Sequence, residues 1–258
     1  MEIKDLTPPK LPVVNMVCDD IIDEKLTRFP AVEACFSRAN FSVIAGLMGQ
    51  GKTSLAINLL RSPLKKCFHH IYVIIPEVSL ASIAPKDNIF VKHLDEDHLY
   101  HEYNTDVLEE IYQKLLQHSK DKEHSILLID DYGAMFSKDK EAGFILNKII
   151  TKLRHLKTTI LLLAQNIYQL PRKWRELATN LITYNLGKSQ MSKIFDEFYQ
   201  YSPEQIREIM TLYKDPHDWL ILNLKYNRLF YKFDKEIVFK ERETKERETK
   251  ERETKVSP

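Results

Sequence analysis

The sequence predicts an α/β fold: a mainly parallel central sheet flanked by helices, with an antiparallel hairpin near the C-terminal end. Three observations point there. Apolar runs of strand length alternate with helical patterns between residues 41 and 187. The first run, "FSVIA", is apolar at nearly every position, as a strand covered on both faces requires. Three of the chain's six glycines, Gly46, Gly49 and Gly51, then separate that run from the first helical pattern.

The bulk properties set the bounds. At 258 residues the chain buries a full core, and one large domain is expected. A hydrophobic share of 43% with 29% charged residues is ordinary for a soluble globular protein. The formal charge of +1 provides no overall basic field, so any nucleic-acid contact must come from local loops. Cys18, Cys35 and Cys67 have no paired spacing, which excludes a disulfide framework or zinc ribbon. No apolar leader and no membrane-length run is present, so a cytoplasmic location without a membrane partner is expected.

The elements follow in order. Residues 1–40, with Pro8, Pro9, Pro12 and Pro30, read as a lead-in with a short helix near Ala31–Ser37. The main domain spans 41–240. Its strands are expected at 41–45, 70–76, 88–94, 125–131, 158–165 and 180–187. Helical spacing marks 54–60, 105–118 and 141–156. Residues 218–234 contain two strand-like runs around Tyr226-Asn227-Arg228, a hairpin whose turn lacks glycine. Residues 241–258 hold "ERETK" three times; no copy has an apolar residue, so this tail cannot pack on a core.

The glycines belong to Gly46-Leu-Met-Gly-Gln-Gly-Lys-Thr53, a complete G-x-x-x-x-G-K-[ST] sequence between a strand and a helix. A loop that wraps a triphosphate needs inward N–H groups, left-handed backbone and no Cβ in the way. Gly46, Gly49, Gln50, Gly51, Lys52, Thr53 and Ser54 are therefore the nucleotide-binding candidates. Lys52 reaches the β- and γ-phosphates, the helix N-terminus adds donors, and the Thr53 hydroxyl joins Mg2+. Mg2+ also needs a carboxylate at the tip of a buried strand, and "SILLIDDYG" provides Asp130 for the metal and Asp131 to polarise water. Gln165, at the tip of "TTILLLAQ", is placed to orient water and sense the γ-phosphate, with Asn166 as substitute. In "LPRKWREL", Arg172 or Arg175 is a candidate arginine finger acting on a neighbour's nucleotide.

Other signals are weaker. His69, His70, His93, His98 and His101 with Cys67 match no zinc spacing. No G-x-S-x-G elbow is present. Lys152, Arg154, His155 and Lys157 are candidate DNA-phosphate contacts, although cations at a helix end also satisfy its dipole. Trp174 and Trp219 read as packing anchors.

Taken together, "GLMGQGKTS", "ILLIDDYGAMF" and "ILLLAQNIYQLPRKWRELATNLITYNLG" resemble the viral genome-packaging ATPases of the FtsK–HerA superfamily, most of all those of large cytoplasmic DNA viruses and virophages. The resemblance covers roughly residues 40–200. It implies a RecA-like P-loop NTPase of the ASCE type, assembled as a pentameric or hexameric ring. Such a ring hydrolyses ATP to pull double-stranded DNA into a viral capsid, docked on a capsid or portal component at a host-cell assembly site. It also implies Lys52 and Thr53 as P-loop residues, Asp130 as metal-side acid, Asp131 as catalytic acid, Gln165 as sensor and Arg175, or else Arg172, as finger. Many superfamily members place Glu where Asp131 stands, so the carboxylate here is set back by one methylene. Two rival functions remain open: a P-loop kinase with "RKWR" as a lid, and a nucleotide-gated scaffold without turnover.

Overall fold

A computed structural model describes residues 30–36, 39–132, 136 and 138–239. The lead-in before residue 30, the turn at Gly133, and the repeat tail lie outside the described residues. In chain order the elements are α1 (Pro30–Cys35), β1 (Phe41–Ala45), α2 (Lys52–Arg61), β2 (His70–Ile74), α3 (Glu77–Ala81), α4 (Ile89–His93), β3 (Leu99–Tyr100), α5 (Thr105–Lys120), β4 (Ser125–Asp130), α6 (Lys140–Thr151), β5 (Thr158–Ala164), α7 (Arg172–Leu177), β6 (Asn180–Tyr184), α8 (Lys188–Phe198), α9 (Pro203–Met210), β7 (Trp219–Asn223), β8 (Arg228–Tyr231) and β9 (Lys235–Ile237).

One nine-stranded sheet runs in the order β3-β2-β4-β5-β1-β6-β7-β8-β9. The strands from β3 to β6 pair in parallel, and β6 to β9 pair antiparallel. β1, β4, β5, β6 and β7 are buried at every position, so both faces are covered. On one face, Leu108, Ile111 and Leu115 of α5 and Leu146 and Ile149 of α6 pack on Leu127, Ile160 and Leu162. On the other, Val32 of α1 and Leu59 of α2 join Ile44, Leu128 and Leu161. No described helix is long and apolar enough to cross a membrane.

The expected α/β sheet is present, with three differences in detail. Residues 88–94 form no strand. The Asn88 side chain accepts from the Val91 N–H and caps a helical turn that buries only Phe90 and leaves Val91 63% exposed. The edge strand comes later, as the two residues of β3. The expected helix 141–156 stops at Thr151, and residues 152–157 turn into β5 with Lys157 left-handed. The hairpin at 218–234 gains a third strand, β9, and Asn227, at φ 53°, supplies the left-handed turn residue in place of glycine.

Besides α4, the helices α3, α7, α8 and α9 extend the sequence expectation. Ser202 and Gln205 form a reciprocal capping box with Pro203 at the first helical position of α9. That signature is visible in "SPEQ", and it would have located this helix from sequence.

Candidate active site

β1 lies between β5 and β6, and β5 lies between β1 and β4. Register puts Ala45 opposite Ala164, and Leu163 opposite Asp130. The C-terminal tips of β1, β5 and β4 therefore end at one level. This juxtaposition gathers the glycine loop, Gln165 and the two aspartates at one edge of the sheet, although they are up to 119 residues apart.

The loop has the backbone its glycines allow. Gly49 and Gly51 sit at φ 78° and 98°, and Gly51 opens α2 as its N-cap. Ser54 is exposed on the first turn, and Gln50 bridges the loop. The Gln50 side-chain oxygen accepts from the Leu47 N–H at 2.6 Å, and its amide donates to the Asn185 carbonyl at 3.0 Å. Tyr184 Oη donates to the Gly51 carbonyl at 3.1 Å, and His217 Nδ1 donates to the Gln50 carbonyl at 3.0 Å. β6 and the approach to β7 thus brace the loop from the side opposite the aspartates. Nothing in the local sequence pattern marks Tyr184, Asn185 or His217 until the strand order is known.

Gly46 shows why this position tolerates no side chain. A Cβ there would meet Tyr184 Cδ2 at 2.8 Å and Gln50 Oε1 at 3.1 Å. Tyr184 is only 2% exposed, so its ring has no room to retreat. Gly46→Ala is expected to weaken ATP binding about tenfold or more by displacing the loop. Titration with a fluorescent ATP analogue checks this, and an affinity within twofold of wild type would show that the loop adapts.

Lys52, Thr53, Asp130 and Asp131 lie close together at the strand tips. Thr53 Oγ1 donates to Asp130 Oδ2 at 2.6 Å, so the proposed metal ligands already touch. Asp130 is nearly fully buried, and burial pushes its carboxyl up to about 6 against the Thr53 hydrogen bond, with Asp131 raising it further. Lys52 is also buried; desolvation lowers its pKa, and Asp130 and Asp131 pull the other way. Its ammonium donates to the Leu47 carbonyl at 3.2 Å. The donor set of a hydroxyl and a buried carboxylate suits a hard divalent cation such as Mg2+.

Asp131 stands exposed at φ 61°, a left-handed position. Gln165 Nε2 donates to its Oδ1 at 2.9 Å, which fixes the carboxylate and joins the tips of β4 and β5. Asn166, the substitute, instead caps the next turn by accepting from the Tyr168 N–H. Its side chain is therefore committed locally.

The two arginines lie elsewhere. Arg175 donates to Glu197 at 3.1 Å and to the Leu170 carbonyl at 2.8 Å, and packs 5.0 Å from the centre of the Tyr168 ring. Arg172 is 80% exposed and pairs with Glu176 one turn on. Both line a cavity with Thr179 and Leu224, at the N-terminal end of β6. The Thr179 N–H donates to the Phe41 carbonyl at 2.8 Å, so this is the edge of the sheet opposite the glycine loop. Neither arginine reaches the loop of its own chain. The neighbouring Asn180 is structural, since its amide donates to the Cys35 carbonyl at 2.7 Å and ties α1 to the sheet.

Solved structures of known proteins share this fold. The DNA-packaging ATPase B204 of Sulfolobus Turreted Icosahedral Virus superposes with a TM-score of 0.56 at 18% identity, over 74% of this chain and 95% of that one. The genome packaging NTPase B204 of Sulfolobus turreted icosahedral virus 2, in complex with ATP-gammaS, gives 0.56 at 17% identity, over 75% and 97%. Its complex with AMPPCP gives 0.55 at 16% identity, over 75% and 96%. At these identities the likeness is one of fold. No curated protein matches the chain in sequence. The model of one family, described as Poxvirus A32 protein, matches residues 33–256, a span that contains the glycine loop, both aspartates, Gln165 and both arginines. With most of its length inside that match, the chain belongs to the Poxvirus A32 protein family.

Proposed function

We propose that this chain is an ATP-hydrolysing motor that moves double-stranded DNA into a viral capsid, and that its working form is a ring of copies. One observation carries the hydrolytic reading: the Thr53–Asp130 contact at 2.6 Å beside the Gln165–Asp131 contact at 2.9 Å. The first pair suits a magnesium-bound triphosphate, and the second holds another carboxylate at the adjacent strand tip. Mg2+ held there by Thr53 and Asp130 supplies charge neutralisation on the β- and γ-phosphates. Lys52 leaves the Leu47 carbonyl to contact the same phosphates, and the loop N–H groups hold them. Asp131, steadied by Gln165, orients the attacking water and accepts its proton.

The packaging role draws on the fold shared with viral packaging NTPases and on the family. The kinase alternative needs "RKWR" as a lid over the nucleotide, and its place at the opposite edge of the sheet removes that support. The same placement supports a finger acting between copies. Arg172 is free to do so at the cost of one exposed ion pair; Arg175 must also leave Glu197 and the Tyr168 ring. A capsid or portal component and a host-cell assembly site complete the reading.

ATP turnover of the wild-type chain with and without duplex DNA tests the proposal. Hydrolysis stimulated by DNA, in particles larger than a monomer by light scattering, is the expected result. Phosphate transfer to a nucleoside monophosphate, or tight binding without turnover, overturns it. Arg175→Ala is expected to keep ATP binding and lose turnover by about 10³-fold. Mixing it with Asp131→Ala should restore part of the activity if the arginine acts on a neighbour; unaffected turnover removes Arg175 from the mechanism.

A further inference from the structure

The nucleotide site uses only the C-terminal tips of the strands. The opposite edge, where the strands begin, has a different chemistry. His70, Ser125 and Thr158, the first residues of β2, β4 and β5, stand side by side in register. The turns that feed them are also joined: the His69 N–H donates to the His124 carbonyl at 2.8 Å, and the Ser125 N–H to the Lys157 carbonyl at 3.1 Å.

Each of those turns follows a helix and contains a lysine in the left-handed region: Lys66 at φ 64°, Lys122 at φ 62° and Lys157 at φ 48°. Glycine or asparagine is the low-cost residue there, because a Cβ crowds the neighbouring carbonyl. Elsewhere among the described residues positive φ falls on Gly49, Gly51, Gly187 and Asn227, and also on Asp131, Gln200 and Lys232. Three of the four left-handed lysines among the described residues thus fall in neighbouring turns on one edge, which accept backbone strain with the same cationic residue. Lys65, Lys120 and Lys152 are exposed in or beside the same turns. Against these six lysines the same turns hold two carboxylates, Asp121 and Glu123, and Glu123 is engaged by His70 at 2.7 Å. The whole chain has a net charge of only +1, so the segregation is local.

We propose that this edge is the surface on which the phosphate backbone of double-stranded DNA lies. The inference rests on the DNA-motor reading above and names the surface that reading lacks. Neighbouring strands are about 4.8 Å apart, so the three turns cover roughly 10 Å. That is comparable to the ~12 Å width of a major groove. Such contacts are sequence-independent and position the duplex without reading it. The DNA surface and the nucleotide site then sit at opposite ends of the same buried strands.

The test exploits the strain. Lys66→Gly, Lys122→Gly and Lys157→Gly, combined in the full chain, remove three charges and relax three turns. The expected variant melts at or above the wild-type temperature and keeps its DNA-independent ATP turnover. Its affinity for a mixed-sequence duplex, read by fluorescence anisotropy, falls at least tenfold. The slope of log affinity on log salt falls by up to about 2.7, at about 0.9 per lost phosphate contact. Lys65→Ala with Lys120→Ala and Lys152→Ala, at exposed positions, provides a second variant with the same expected direction. Unchanged affinity and slope in both variants would overturn this surface and leave the motor reading standing. A wild-type chain that binds no duplex at all would overturn both.

Discussion

Lys52→Ala is expected to abolish ATP turnover, with a fall of about 10³-fold or more in phosphate release. The cause is electrostatic. The ammonium sits in a buried place at the base of the loop, where removal from water strengthens its attraction for a transferring phosphoryl group. Arg172 and Arg175 stand at the far edge of the sheet, so neither replaces Lys52 within its own chain. The variant should fold normally: alanine favours the first turn of α2, and one desolvated charge disappears. Residual turnover within tenfold of wild type would place catalysis elsewhere.

Asp130→Asn should separate stability from activity. Burial raises the Asp130 carboxyl to about 6 in the folded chain, against an ordinary value near 3.9. The folded state therefore holds its proton more tightly than the unfolded state does, and stability is lost as pH rises from about 4 through about 6. Above that window the penalty is complete, on the order of 3 kcal/mol. Asparagine carries no charge and still accepts from Thr53, so nucleotide-free Asp130→Asn should melt higher than wild type at pH 7.5 and equally at pH 4. Hydrolysis should nonetheless fall by at least about 10²-fold, because the amide is a poor ligand for Mg2+. Wild-type affinity for Mg2+ should also drop as pH falls below about 6, where a proton competes for the same oxygen. A lower melting temperature for the variant at pH 7.5 would mean that the carboxylate is structurally satisfied without a cation.

The legible part of this protein was local. The glycine loop, the strand "SILLID" ending in two acids, and the amide at the tip of β5 each have a pattern contained in ten or fewer consecutive residues. Hydrophobic runs buried on both faces announce themselves in the same way. The false strand at 88–94 failed for a local reason too: a short apolar run is ambiguous, and the Asn88 cap settled it as a helix.

What only the tertiary structure decided was adjacency. Strand order brings Tyr184, Asn185 and His217 against the loop, puts both arginines at the other end of the sheet, and aligns three left-handed lysines in neighbouring turns. The physical reason is that a strand's own sequence specifies which faces are buried, whereas hydrogen bonds between backbones are the same for every residue type. Which strand lies beside which is set by the packing of the whole core, and no short stretch of chain contains it.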